Sequence, residues 1–244
     1  MGKYFTVEVK PTITASKQHI GVFSAGDVLF DWTEFEIPKG SARLVGATVL
    51  VRPKGDSAPT ANNKVMNLLI SKSNTQTLGV INTAATNRPS NDFVGNIAFA
   101  AADFSNTQMA STAVASSPST IKAPIVITAN PSLTSTQGYD KLYLGGLAGV
   151  QFFGQTVFQI NDGDIDSVSP GTALVTKGTS MTVLEHFLPD DVLHAHDDAV
   201  IGVIASVNSS TSITLDEAIA TSVLEDDDYV YNIHPIRIIL QFEQ

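Results

Sequence analysis

The chain has no cysteine among its 244 residues, which excludes disulfides, cysteine zinc sites, thiol nucleophiles and iron–sulfur clusters. Long apolar runs are also missing. The longest, residues 142–150, is far short of the ~18 residues that a membrane-spanning helix requires. The opening segment MGKYFTVEVK carries neither an apolar h-region nor a small-residue cleavage site, so no secretory signal is expected and a soluble chain is. Met1, Gly2 and Thr6 fit the short N-myristoylation pattern, but Tyr4, Phe5, Val7 and Val9 read as a first strand and no polybasic second signal follows.

Basic residues are scarce where acids are dense. Residues 161–228 hold 14 Asp and Glu against one base, Lys177, whereas the rest of the chain holds 10 acids and 13 bases. Two surfaces of different character therefore share one chain. Binding to a nucleic acid duplex needs clustered Lys and Arg to displace counterions, and here the bases are scattered, so neither nucleic acid nor membrane is an expected partner.

Helical signals are few. Only residues 108–116 and 216–224 have tolerable helical composition, the second with Asp216 placed as an N-cap. Period-two alternation dominates instead: Thr6-Val7-Glu8-Val9-Lys10 and Thr33-Glu34-Phe35-Glu36-Ile37 place apolar and polar side chains on opposite faces of an extended chain. Further β-rich runs occupy 44–51, 65–70, 93–99, 121–128 and 142–147. Within the acidic stretch, 191–196, 200–207, 212–215 and 228–231 form a series of short strands, with 208–211 as a hairpin loop. The last run, 235–242 (PIRIILQF), is neutral like the N-terminal region.

These patterns predict an all-β protein. A jelly-roll-like antiparallel sandwich is assigned to residues 1–160 plus 233–244, and a small SH3-like or KOW-like barrel module, residues 161–232, is inserted before the last strand. The terminal strand returns to complete a sandwich sheet, a way of covering a sheet edge. The module is expected to survive limited proteolysis as a separable fragment.

Candidate sites are sparse. Asp162, Asp164 and Asp166 open with the spacing of an EF-hand loop, but Ser167 stands where that loop needs Gly and Ala173 where it needs Glu, leaving a solvated junction as the competing reading. His194 and His196, two apart on a strand face and near Asp190, Asp191, Asp197 and Asp198, offer two imidazoles and a carboxylate to a divalent ion; a polar strand face flanked by an acidic turn is the alternative. His19, His186 and His234 stand alone. Trp32, Tyr139, Tyr143, Phe152 and Phe153 are candidates for a sugar-stacking platform, with core packing as the default at 7% aromatic content. No GxSxG elbow, HExxH, GxGxxG or phosphate loop is present, and no SxxK is placed to activate a hydroxyl, so no catalytic, cofactor-binding or metal residue is assigned and no cofactor is expected.

Residues 65–74 (VMNLLISKSN), 91–97 (NDFVGNI) and the strands 200–207 and 212–215 give the chain its resemblance to β-rich virion structural proteins of tailed bacteriophages. The resemblance covers most of the chain and carries over no functional residue. It implies a non-enzymatic role in the virion: a capsid decoration protein bound to the major capsid protein or other virion proteins and to copies of itself, with trimers favoured. The few charges and many Ser, Thr, Ala and Gly residues fit that role. The alternative is a tail- or fibre-associated receptor or carbohydrate-binding module. A glycan hydrolase would need two carboxylates facing each other across a cleft.

Overall fold

The computed structural model describes residues 2–19, 22–38, 41–53, 65–86, 93–106, 113–116, 125–128, 139–149, 157–159, 173–175, 187–209, 212–217 and 228–244. Nearly all of the regular structure is β, and every strand pairing among these residues is antiparallel.

Two sheets make the larger body. In the first, β1 (Tyr4–Val9) lies at one edge and β16 (Ile236–Glu243) is paired between it and β3 (Ser41–Val51). Beyond β3 come β7 (Ala113–Ser116) and β6 (Phe104–Asn106), while β8 (Ile125–Thr128) pairs the other half of β3. The second sheet runs β2 (Val28–Pro38), β9 (Tyr139–Ala148), β4 (Met66–Ser71), β5 (Phe93–Phe99). Strict alternation in β16 sends Ile236, Ile238, Leu240 and Phe242 to one face, all at 0% exposure, where they share a core with Phe35, Ile37, Leu68, Leu142 and Leu144 of the second sheet. Phe242 stacks on Phe5 of its own sheet at 5.2 Å and on Phe35 of the facing sheet at 6.4 Å, so one ring ties the two layers. The protein is an antiparallel β-sandwich.

The terminal strand differs from its expected place. It does not cover an edge but sits inside the sheet, because its four inward apolar side chains require partners on both sides, and the less buried β1 takes the edge instead. The helix expected at 108–116 is also overturned over its described part: residues 113–116 form β7, paired with Thr48–Val51. Helix propensity is a weak prior, and the unpaired backbone of β3 prevails over it. Among the described residues the one α-helical turn is α1 (Ala15–His19), where the Thr14 carbonyl accepts from the amides of Lys17 and Gln18. Asp216, expected as an N-cap, extends the β ladder by donating its amide to Val203 O. Residues 218–224 of that second expected helix lie outside the described residues.

A third sheet runs β10 (Val157–Gln159), β15 (Tyr229–Asn232), β12 (Val192–Ala195), β13 (Val200–Ser209), β14 (Ser212–Leu215), β11 (Ala173–Val175). It has its own core of Phe187, Leu193, Ala195, Ile201, Ile204, Ile213, Leu215 and Val230. The hairpin between β13 and β14 is tighter than expected, since Ser209 already pairs with Ser212. Among the described residues β10 and β11 are the two ends of this sheet and do not pair with each other, so barrel closure is not seen. β10 falls within residues 1–160 yet pairs with β15.

Candidate functional site at the junction of the two cores

Where the third sheet meets the sandwich, polar side chains replace apolar ones. Arg52 follows β3 of the sandwich, while Asp191 precedes β12 and Asn232 ends β15 of the third sheet, so three chain segments from two sheets converge. Asp191 Oδ2 accepts hydrogen bonds from Leu188 N at 2.8 Å and Asn232 Nδ2 at 3.0 Å, with Arg52 Nη2 at 3.4 Å. Burial pushes the Asp191 carboxyl above the ordinary carboxylate range, against the pull of Arg52, the Leu188 amide, His234 and Lys10. Burial likewise lowers the Arg52 guanidinium, opposed by Asp191. For each group, desolvation outweighs attraction, as is common for buried ion pairs.

The surrounding contacts are side chain to backbone. Gln18, fully buried on α1, donates through Nε2 to Ile13 O and Asn232 O, both at 2.8 Å. Asn232, 1% exposed, accepts the His234 amide at its Oδ1 at 2.8 Å, and His234 Nδ1 lies 3.2 Å from Pro11 O. A backbone bond from Ile13 N to Ile233 O at 2.8 Å completes the seam. A second tie lies nearby: the Asp198 carboxylate accepts from Ser16 N at 2.9 Å and from Ser16 Oγ at 2.6 Å. Asp198 has φ of 73°, the left-handed region that Asp tolerates better than most residues, and this aims its carboxylate at the start of α1. The arrangement fixes orientation. Asp191 Oδ2 and both carboxylate oxygens of Asp198 are occupied by protein donors.

The expected metal candidates fare differently from one another. Asp162, Asp164 and Asp166 lie outside the described residues, while Ala173 begins β11. His194 and His196 do not share a strand face: β12 ends at Ala195, and His196 is in the following turn. His194 Nδ1 faces Asp198 O at 3.0 Å, Asp197 Oδ1 accepts the Ala199 amide, and Asp191 and Asp198 are bound as above. The turn comes one residue too early for both imidazoles to converge. Among the described residues no group of three or more His, Cys, Asp and Glu is placed to hold a metal ion, and no helix is long and apolar enough to cross a membrane.

Two of the five aromatic candidates, Trp32 and Tyr143, lie on the outer face of the second sandwich sheet. The pairing Glu34↔Tyr143 places Trp32 level with Gly145, two positions along the same face. A Cβ on Gly145 would meet Leu78 and the Trp32 ring, so the glycine lets the half-buried indole lie close on the strand. Trp32 Nε1 donates to Gln76 O at 2.8 Å, which anchors the ring. Lys141 Nζ reaches Glu34 Oε1 at 2.6 Å, and burial together with the Glu34 charge raises the Tyr143 hydroxyl. Tyr139 begins β9 opposite Pro38, whereas Phe152 and Phe153 lie outside the described residues. The sequence offered Asp191 and Asp198 only as carboxylates beside a histidine pair and His234 as a lone residue, and it gave no sign of Ser16, Gln18, Arg52 or Asn232, whose partners are distant in sequence.

No protein-family model, curated protein or solved structure matches this chain.

Proposed function

We propose that the chain is a non-enzymatic virion structural protein, a capsid decoration protein that stabilises a phage head through contacts with the shell and between subunits. The observation that carries the reading is the junction: a sandwich of balanced charge and an acid-rich sheet with its own core are tied by Arg52–Asp191, Ser16–Asp198 and Gln18–Asn232. Such a seam holds two chemically different surfaces at a set angle, which suits a scaffold with one side toward a shell and the other toward solvent. The test is co-sedimentation of the full chain with purified tailed-phage shells. Saturable binding that raises the temperature at which the shells disrupt is the expected result, and no binding overturns the reading.

A second reading draws on Trp32 and Tyr143. Two ring systems on one sheet face, flanked by Glu34 and Lys141, match the chemistry of glycan recognition, in which rings stack on sugar C–H faces and charged groups bind hydroxyls. Binding on a glycan array that Trp32→Ala abolishes would favour a receptor-binding module over decoration.

A further inference from the structure

Among the described residues the edge strand β1 has no bulge, no internal proline and no inward charge to guard against pairing with another chain, and its one charged side chain, Glu8, is held in ion pairs with Lys10 and Arg237. Its register with β16 is continuous from Tyr4↔Glu243 to Val9↔Ile238, with no bulge, and Pro11 comes only after the strand ends. The inward positions are Phe5, Val7 and Val9, so no inward charge blocks approach. Among the described residues β1 pairs with β16 alone.

The hydrogen-bonding phase of this edge follows from one pair. Lys3 and Gln244 exchange both backbone bonds, Lys3 N to Gln244 O at 2.9 Å and Gln244 N to Lys3 O at 2.8 Å. In an antiparallel ladder such pairs alternate, so residues 5, 7 and 9 bond to β16 and Tyr4, Thr6 and Glu8 direct their N–H and C=O groups outward. The apolar side chains here are also incompletely covered. Phe5 and Val7 point at the core but are only half-buried, and Tyr4 is 73% exposed.

We propose that β1 pairs antiparallel with β1 of a second copy of this chain about a two-fold axis at Thr6, joining two sandwiches into one continuous sheet. In this register Tyr4 faces the partner's Glu8, Phe5 faces the partner's Val7 and Lys10 faces the partner's Gly2. All three outward residues of each strand are used and no like charges meet. Glu8, already bound to Arg237 and Lys10 of its own chain, meets a tyrosine instead of a second carboxylate. The contact is two-fold, distinct from the trimers expected from sequence, and it does not depend on the decoration role, because it forms without a shell.

The test is the solution mass of the full chain by sedimentation, alongside two variants. Thr6→Pro removes an outward N–H that β16 does not use, so folding is retained while one ladder bond is lost on each side of the axis. Wild type is expected at twice the mass of one chain at tens of micromolar (on the order of the weak contacts a short interface supports), and Thr6→Pro at the mass of one chain with an unchanged circular dichroism spectrum. Thr6→Cys adds the only thiol in the protein. Facing residues in such a pair have Cα atoms about 5.5 Å apart, within disulfide reach. Mild oxidation should therefore give a covalent dimer at low micromolar concentration. A monomeric wild type whose Thr6→Cys form does not cross-link overturns the pairing, as does any oligomer that Thr6→Pro leaves intact.

Discussion

At the scale of single residues, the half-buried carboxylate of Asp191 makes a prediction whose sign is not intuitive. Its folded pKa lies above the unfolded value because burial outweighs Arg52 and the other donors. A raised acid pKa means that the stability it contributes is full below the unfolded pKa and is lost as pH rises through the folded one. Asp191→Asn keeps the shape and removes the titration. Urea unfolding from pH 4 to 7 should therefore show the variant gaining on wild type as pH rises, and a variant that instead falls behind would show that the attraction of Arg52 dominates. Removing the partner has the opposite character. Arg52→Met leaves Asp191 without its cation in a site only 17% exposed, at an expected cost of about 1–3 kcal/mol at pH 7 by the same measurement. Gly146 in β9 tests packing: a Cβ there would meet the Phe30 ring, which is buried in the core. Gly146→Ala should lower stability by about 1–3 kcal/mol through overpacking, read as a lower urea midpoint with an unchanged slope.

At the scale of elements, β16 governs the sandwich, since it supplies an unbroken row of inward side chains and pairs on both sides. Leu240 is fully buried at the middle of that row, so Leu240→Ala should cost about 2–5 kcal/mol in urea unfolding. A cost well below that range would place the centre of the core elsewhere. The row was readable in PIRIILQF because alternation is local: every second residue declares its face without knowledge of the partner strand. β2, β3, β4, β5, β9 and the β13–β14 hairpin were legible for the same reason. β6, β10 and β11 were not, being three residues each, too short for a period to show. β7 was misread because Ala113-Val114-Ala115-Ser116 carries little side-chain signal, and its conformation is set by the backbone groups of β3. The order of the strands, with a terminal strand in the interior, depends on long-range pairing that no local pattern encodes. The junction escaped for a related reason. Gln18, Arg52, Asp191, Asn232 and His234 are ordinary polar residues until four segments bring them within hydrogen-bond distance. His194 and His196 shared a face only while β12 was assumed to run one residue longer than it does.

At the scale of the molecule, the question is whether two cores mean two folding units. The described core of the third sheet consists of eight buried side chains, from Phe187 to Val230. Small cores of this kind are marginal alone, since the area they bury barely offsets the entropy of ordering their chain. The described sandwich core draws on 25 buried side chains against 8, among them those of β2, β3, β4, β9 and β16. The ties across the seam therefore carry part of the stability of the acidic body, and the Tyr231 and Ala15 contact adds an apolar patch to them. On this reasoning the full chain should melt in one calorimetric transition, with the acidic body unable to unfold until the seam opens. Cutting the seam at two independent places, Ser16→Ala with Arg52→Met, removes the hydroxyl bond to Asp198 and the cation beside Asp191 without entering either core. The double variant should then show two transitions, the lower one accompanied by protease cleavage confined to residues 161–232 and the upper one near the wild-type temperature. Two resolved transitions already present in wild type would mean that each body is stable by itself and that the seam only orients them, as the separable fragment expected from sequence would have it. A single lowered transition in the double variant would mean that the two cores are one cooperative unit, coupled through more than the polar ties.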